Sequence, residues 1–144
     1  MFNFFTPLFV WVGLWVLLSG CADTDPSAGP VGQGFKEADR ERSAKIIDST
    51  IRRKLGKPSG TLTQTDMDQV DELNLSGRGI TDISSLSRLT NLKGLGLNHN
   101  QLTDLTPLAG LRMLRRLEIT ANPGLKEPEI NRLKAALPNC KIDY

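Results

Sequence analysis

LKGLGLNHNQLTDLTPLAGL, residues 92–111, decides how this chain is read, because it is one of several copies of the same pattern. Leu92, Leu95, Leu97, Leu102, Leu105, Leu108 and Leu111 each have an aliphatic counterpart 22 positions upstream: Val70, Leu73, Leu75, Ile80, Ile83, Leu86 and Leu89. A third copy opens 22 positions further on with Leu114, Leu117, Ile119 and Asn122, matching Leu92, Leu95, Leu97 and Asn100. A short fixed period predicts a stacked solenoid, in which each unit buries its apolar edge only against its neighbours.

Within a unit the pattern is L-x-x-L-x-L-x-x-N. Leu95 and Leu97 are two apart and share one face of a strand, with the alternate residues facing out. Copies of this strand are expected to pair in parallel. Asn100 and Asn122 close the strand segment where the chain turns, and an amide there satisfies backbone groups that the turn leaves unpaired. In the second half of the unit the leucines come every third residue, the period of a 3₁₀ coil. Asp82 and Asp104 precede these coils and suit capping positions; Pro107 suits an early helical position.

These residues resemble the leucine-rich repeat, in the 22-residue form found in internalin-type bacterial proteins. The resemblance implies an α/β solenoid with parallel strands on its concave side, 3₁₀ turns on its convex side and a helical cap at each end. It covers 70–125 as about three repeats. Two positions depart from it. Arg78 stands where the first repeat should carry Asn, and Leu125 comes one place late, with Gly124 at the expected position.

Outside the repeats the composition divides the chain. Both tryptophans and four of the five phenylalanines lie before residue 16, which leaves an aliphatic core for the rest. A net charge of +2 gives no argument for nucleic acid. Residues 1–20 carry no charged side chain, and Phe4 to Leu18 has the length of a signal-peptide core and is short for a membrane span. The segment ends in Leu18-Ser19-Gly20-Cys21, small residues before a cysteine, and resembles the lipobox of bacterial lipoproteins. That resemblance implies lipidation of Cys21 and anchoring in the cell envelope, on the outer membrane where the cell has two, since Ala22 follows. The n-region has no Lys or Arg, and an uncleaved anchor helix is the alternative. Residues 21–40, rich in Pro, Gly and small polar residues, read as a flexible tether.

Residues 41–69 read as an N-terminal cap. Ala44, Ile47, Ile51 and Leu55 form one helical stripe from Ser43 to Leu55, which Gly56 and Pro58 stop. Leu62 is a candidate short strand, and Thr65 a candidate cap for a brief helix carrying Met67. Residues 126–144 read as a C-terminal cap: a helix opened by Pro128 with Ile130, Leu133 and Leu137 inward, then an edge strand holding Ile142. Cys140 reads as a buried small hydrophobe.

An enzyme needs convergent titratable groups. His99 is the only histidine, so a histidine metal site lacks the residues it needs, and no cofactor is expected. A Ser-His-Asp arrangement would have to use His99, which reads as a solvated side chain on the outward side of the second strand. Gly56-Lys57 is followed by Pro58, where a phosphate loop needs Ser or Thr. Arg52, Arg53 and Lys54 read as a solvated helix face. The concave face remains as the place for a protein or peptide partner. Its outward residues are Asp71, Glu72, Asn74 and Ser76 in the first copy. The second contributes Lys93, Gly94, Gly96, Asn98 and His99, and the third Arg115, Arg116, Glu118 and Thr120. Asp71 is expected beside Lys93, and Glu72 opposite Arg116 across Gly94. Two readings of this face stay open: a narrow groove with an acidic and a basic rim, or ordinary solvated charges in neighbour pairs of about 0–1 kcal/mol each. A face of three strands is small against the ~800 Å² per partner of a stable one-to-one interface, which favours weak binding.

The expectation is therefore a non-catalytic, membrane-anchored recognition module of the bacterial envelope. The alternatives are a structural envelope lipoprotein with no specific partner, and a cytoplasmic regulator if residues 1–21 are no export signal.

Overall fold

A computed structural model describes residues 33–144 of the chain. The expected export segment, Cys21 and the first part of the tether lie outside the described residues.

The 22-residue period becomes zero offset in the sheet. Leu73 of β1 (Glu72–Asn74) stands opposite Leu95 of β2 (Gly94–Gly96), and Leu95 opposite Leu117 of β3 (Arg116–Glu118). All three are buried, in one column. The strands are parallel and run in the order β1-β2-β3-β4, where β4 (Lys141–Asp143) sets Ile142 against Leu117. The same rung recurs in each coil: Leu75 N–H donates to Gly96 O at 2.8 Å, Leu97 N–H to Glu118 O at 2.7 Å, and Ile119 N–H to Asp143 O at 2.8 Å.

After each strand the chain turns through the left-handed region at one repeat position, Gly77, His99 and Ala121, with φ of 68°, 56° and 57°. Non-glycine residues adopt it at a cost. The asparagine that follows holds the bend. Asn100 Oδ1 accepts from the N–H of Arg78 and Ile80, at 3.1 and 3.0 Å. Its Nδ2 donates to Leu97 O in its own coil and Leu75 O in the coil before, at 2.9 and 3.0 Å. Asn122 repeats this with Ile119 O at 2.8 Å and Leu97 O at 3.0 Å. Arg78 departs from the pattern here: its Nε is buried without a hydrogen-bond partner.

The return segments hold 3₁₀ turns at Ser84–Arg88 and Thr106–Leu108, which bury Leu86 and Leu108. Asp82 and Asp104 each accept from the backbone N–H two residues on, Ser84 at 2.9 Å and Thr106 at 2.8 Å. The third coil replaces its 3₁₀ turn with α3 (Glu127–Ala136), which has Pro128 in its first turn and buries Ile130 and Leu133. Gly124 explains the late leucine. A Cβ there would lie 2.8 Å from Leu102 O, so the side chain passes to Leu125, which packs half-buried against the core.

The N-terminal cap differs from expectation in three places. Helix α1 spans Gln33–Leu55 and so starts ten residues before Ser43, inside the expected tether. Residues 36–42 are exposed, and Glu41 pairs with Lys45 at 2.9 Å. A helix turn that is polar all round shows no apolar stripe, so periodicity finds only the part that packs. Ile47 and Ile51 of that stripe are fully buried. Helix α2 (Gln64–Met67) is capped by Thr63, not Thr65. Thr63 and Asp66 form a reciprocal capping box, in which Thr63 N–H donates to the Asp66 carboxylate at 2.9 Å. Leu62 is buried but lies in no strand.

Candidate partner-binding groove

Helix α1 lies across the open end of the first coil, and its contacts fix its direction. Ser43 Oγ accepts from the N–H of Thr81 and Asp82 at 3.2 and 3.3 Å, on the 3₁₀ side. In the last turn Lys54 donates to Asp71 Oδ1 at 3.1 Å and to Glu72 O at 2.6 Å, on the sheet side. The second bond covers an outward carbonyl of β1, which would otherwise be an open sheet edge. The end of α1 therefore stands as a wall beside the concave face.

Between that wall and the sheet lies a cavity of about 440 Å³. Thr50, Arg53 and Lys54 line it from α1; Glu72, Asn74, Arg116 and Glu118 line it from the sheet. Gly94 and Gly96 lie between β1 and β3, and parts of Leu73 and Leu95 reach the floor. The strip over the glycines is narrow. A Cβ on Gly94 would meet Glu72 Cγ at 3.3 Å, and one on Gly96 would meet Asn74 Oδ1 at 3.1 Å. The side chains of β1 thus lean over the bare backbone of β2.

Of the expected outward residues, Glu72, Asn74, Arg116 and Glu118 come together in this cavity, while Asp71, Lys93, Asn98, His99 and Arg115 are not among its lining. Asp71 is held by Lys54 rather than Lys93; that hydrogen bond first, and the ammonium charge second, lower its pKa. Lys93 meets Asp71 only through the backbone, its N–H donating to Asp71 O at 2.6 Å. Glu72 and Arg116 make no ion pair. Asn98 is occupied within the sheet: it donates to Glu118 Oε2 at 3.0 Å and accepts from Thr120 N–H at 2.9 Å. His99 is exposed at its left-handed turn, beyond the end of β2.

Arg53 and Lys54, expected to be solvated only, are groove residues. Periodicity carries the signal: Thr50, Arg53 and Lys54 are three and four apart, on the flank of the Ile47 and Ile51 stripe. Arg52 turns away and is half-buried, bonded to Asp48 at 2.6 Å and Gly60 O at 2.8 Å.

What the groove offers is charge, amide and backbone, in a small open space. Among the described residues no group of three or more His, Cys, Asp or Glu is placed to hold a metal ion, and no helix is long and apolar enough to cross a membrane. Cys140 is half-buried against the core, and burial raises its thiol pKa, which keeps it protonated at neutral pH.

Comparison with known proteins agrees with this architecture. A family profile described as Leucine Rich repeats (2 copies) matches residues 68–110. An internalin from Listeria monocytogenes superposes with a TM-score of 0.59 at 28% identity, over 69% of this chain and 28% of the other. Internalin C2 of the same species gives 0.53 at 27% identity, over 69% and 53%. A leucine-rich-repeat protein of Leptospira interrogans gives 0.50 at 29% identity, over 58% and 22%. The chain thus spans from about a fifth to about half of those chains. The fold is a leucine-rich-repeat solenoid with parallel strands and short 3₁₀ turns, similar to that of internalins.

Proposed function

We propose that this leucine-rich-repeat chain is a non-catalytic recognition module, tethered to the bacterial cell envelope by lipid on Cys21, that binds a segment of another protein in the groove between α1 and the concave sheet. The observation that carries it is the groove itself. The end of α1, β1 and β3 surround one cavity of about 440 Å³ lined by polar side chains and glycine backbone, with parts of Leu73 and Leu95 at its floor. A cavity of that volume is within the size range of ligand sites but takes only a short piece of a protein. Binding through it alone is therefore weak, and a lipid tether would offset this by concentrating the module at a surface.

Two measurements test the reading. The anchor requires palmitate labelling that disappears in Cys21→Ala, together with loss of the protein from the membrane fraction. Unlabelled wild-type protein in the soluble fraction would sink the anchor. For the groove, Gly94→Tyr should abolish partner capture while preserving the melting temperature. Capture that is unchanged in this variant would place recognition elsewhere.

A further inference from the structure

Two arginines line the same cavity without an acid of their own. Arg53 comes from the last turn of α1 and Arg116 from β3. Neither guanidinium pairs with a carboxylate among the described residues. The other charges nearby are largely engaged. Lys54 holds Asp71 and Glu72 O, Lys141 pairs with Asp143 at 3.5 Å, and Glu118 accepts from Asn98. Glu72 and Glu118 are the acids left without a cation among the described residues, since an amide donor does not neutralise Glu118, and the Glu72 side chain lies over Gly94 without reaching Arg116 as an ion pair. Lys93 and Arg115, the residues just before β2 and β3, also have no carboxylate partner among the described residues. The unpaired charge at the face is therefore positive on balance: Arg53 and Arg116 in the cavity and Lys93 and Arg115 outside its lining, against the carboxylates of Glu72 and Glu118.

We infer that the groove selects an extended protein segment carrying an acidic side chain, whose carboxylate is gripped between Arg53 and Arg116 above the Gly94–Gly96 strip. This rests on the groove reading given above. A guanidinium meets a carboxylate through two parallel N–H donors, so two of them on opposite walls fix both the position and the orientation of one acid. With no side chain on Gly94 or Gly96, a partner segment has only the leaning Glu72 and Asn74 side chains to displace before a short Asp or Glu side chain spans to either wall. A basic segment would find Glu72 and Glu118 but would also meet the two unpaired guanidinium groups of Arg53 and Arg116. The surplus positive field also steers acidic segments toward the groove from solution.

The test uses the full chain, immobilised, and a phage library of random ten-residue peptides. Recovered peptides are titrated against wild type, Arg53→Gln, Arg116→Gln, the double variant and Gly94→Tyr. Arg53 and Arg116 are exposed, whereas Gly94 is half-buried with Glu72 close above it, and a melting curve for each variant checks the fold. The clamp predicts enrichment in Asp and Glu, and an affinity loss of about tenfold when that acid is changed to its amide. It predicts a similar loss in either arginine variant, and a double variant little worse than one single, because both arginines hold the same carboxylate. Four results would overturn it: no peptide retained, peptides without acidic bias, peptides with basic bias, or acidic peptides indifferent to both arginines. Gly94→Tyr separates the two claims. Peptides lost in Gly94→Tyr but kept in both arginine variants leave the groove standing and remove the clamp. Peptides kept in Gly94→Tyr remove both.

Discussion

The side-chain amide of Asn100 donates to the carbonyl of Leu75, 3.0 Å away in the preceding coil. The same side chain accepts from Arg78 and Ile80, so one residue ties two coils and closes a turn. Asn100→Ala is expected to leave buried backbone groups without partners, at about 1–3 kcal/mol for each. Asn122 Oδ1 accepts from Leu102 N–H alone, at 3.2 Å. The melting temperature should therefore fall further for Asn100→Ala than for Asn122→Ala. Equal shifts would mean that the link to the Arg78–Ile80 segment carries no energy.

Leu95 is buried in the central column, between Leu73 and Leu117. A solenoid of so few coils has little core to spare, and Leu95→Ala is expected to cost about 2–5 kcal/mol in denaturant titration. Met113 is 44% exposed. Met113→Ala should stay within about 0.5 kcal/mol of wild type.

Gly124 and Gly110 separate a steric requirement from simple glycine content. A Cβ on Gly124 would meet both Leu102 O and Thr103 Cγ2 at 2.8 Å, and the carbonyl is backbone that cannot swing aside. A Cβ on Gly110 meets nothing within 4 Å. Gly124→Ala is expected to lower the melting temperature clearly and Gly110→Ala to leave it near wild type. The opposite order would mean that the chain at Gly124 does not press against Leu102 and Thr103 of the second coil.

Asp66 gives the N-terminal cap a pH dependence. Hydrogen bonds from Lys57, then from the Thr63 backbone and hydroxyl, hold its pKa at about 2, below the usual 3.8. In the unfolded chain the carboxyl takes up a proton first. Stability from this group is therefore complete above about pH 4 and is lost as pH falls toward 2. Asp71, lowered by Lys54, acts in the same direction. Urea midpoints measured across that range should drop in wild type and drop less in Asp66→Asn. Parallel curves would show that the capping box is not formed.

The repeats were legible because aliphatic spacing is a direct record of burial. Leu73, Leu95 and Leu117 at a constant 22 could only be aligned by parallel stacking, and both capping helices showed where they bury Ile47, Ile51, Ile130 and Leu133. What spacing does not record is charge pairing. Lys54 competes with Lys93 for Asp71 from 17 residues away, and that choice follows from where α1 ends in space. The first ten residues of α1 and the Thr63 cap were missed for a related reason, since neither is marked by an apolar stripe. The groove was half visible: its sheet side lay in the alternation, but its helical wall became a wall only once Ser43 and Lys54 had fixed the angle of α1.

Photocrosslinking in intact cells tests the central claim most directly. A benzophenone side chain is placed at Glu72 on the groove, or at Ser87, exposed on the 3₁₀ side. The account predicts a discrete protein adduct from position 72 that vanishes when Arg53→Gln and Arg116→Gln are added, and none from position 87. An adduct from position 87 with none from position 72 would contradict it.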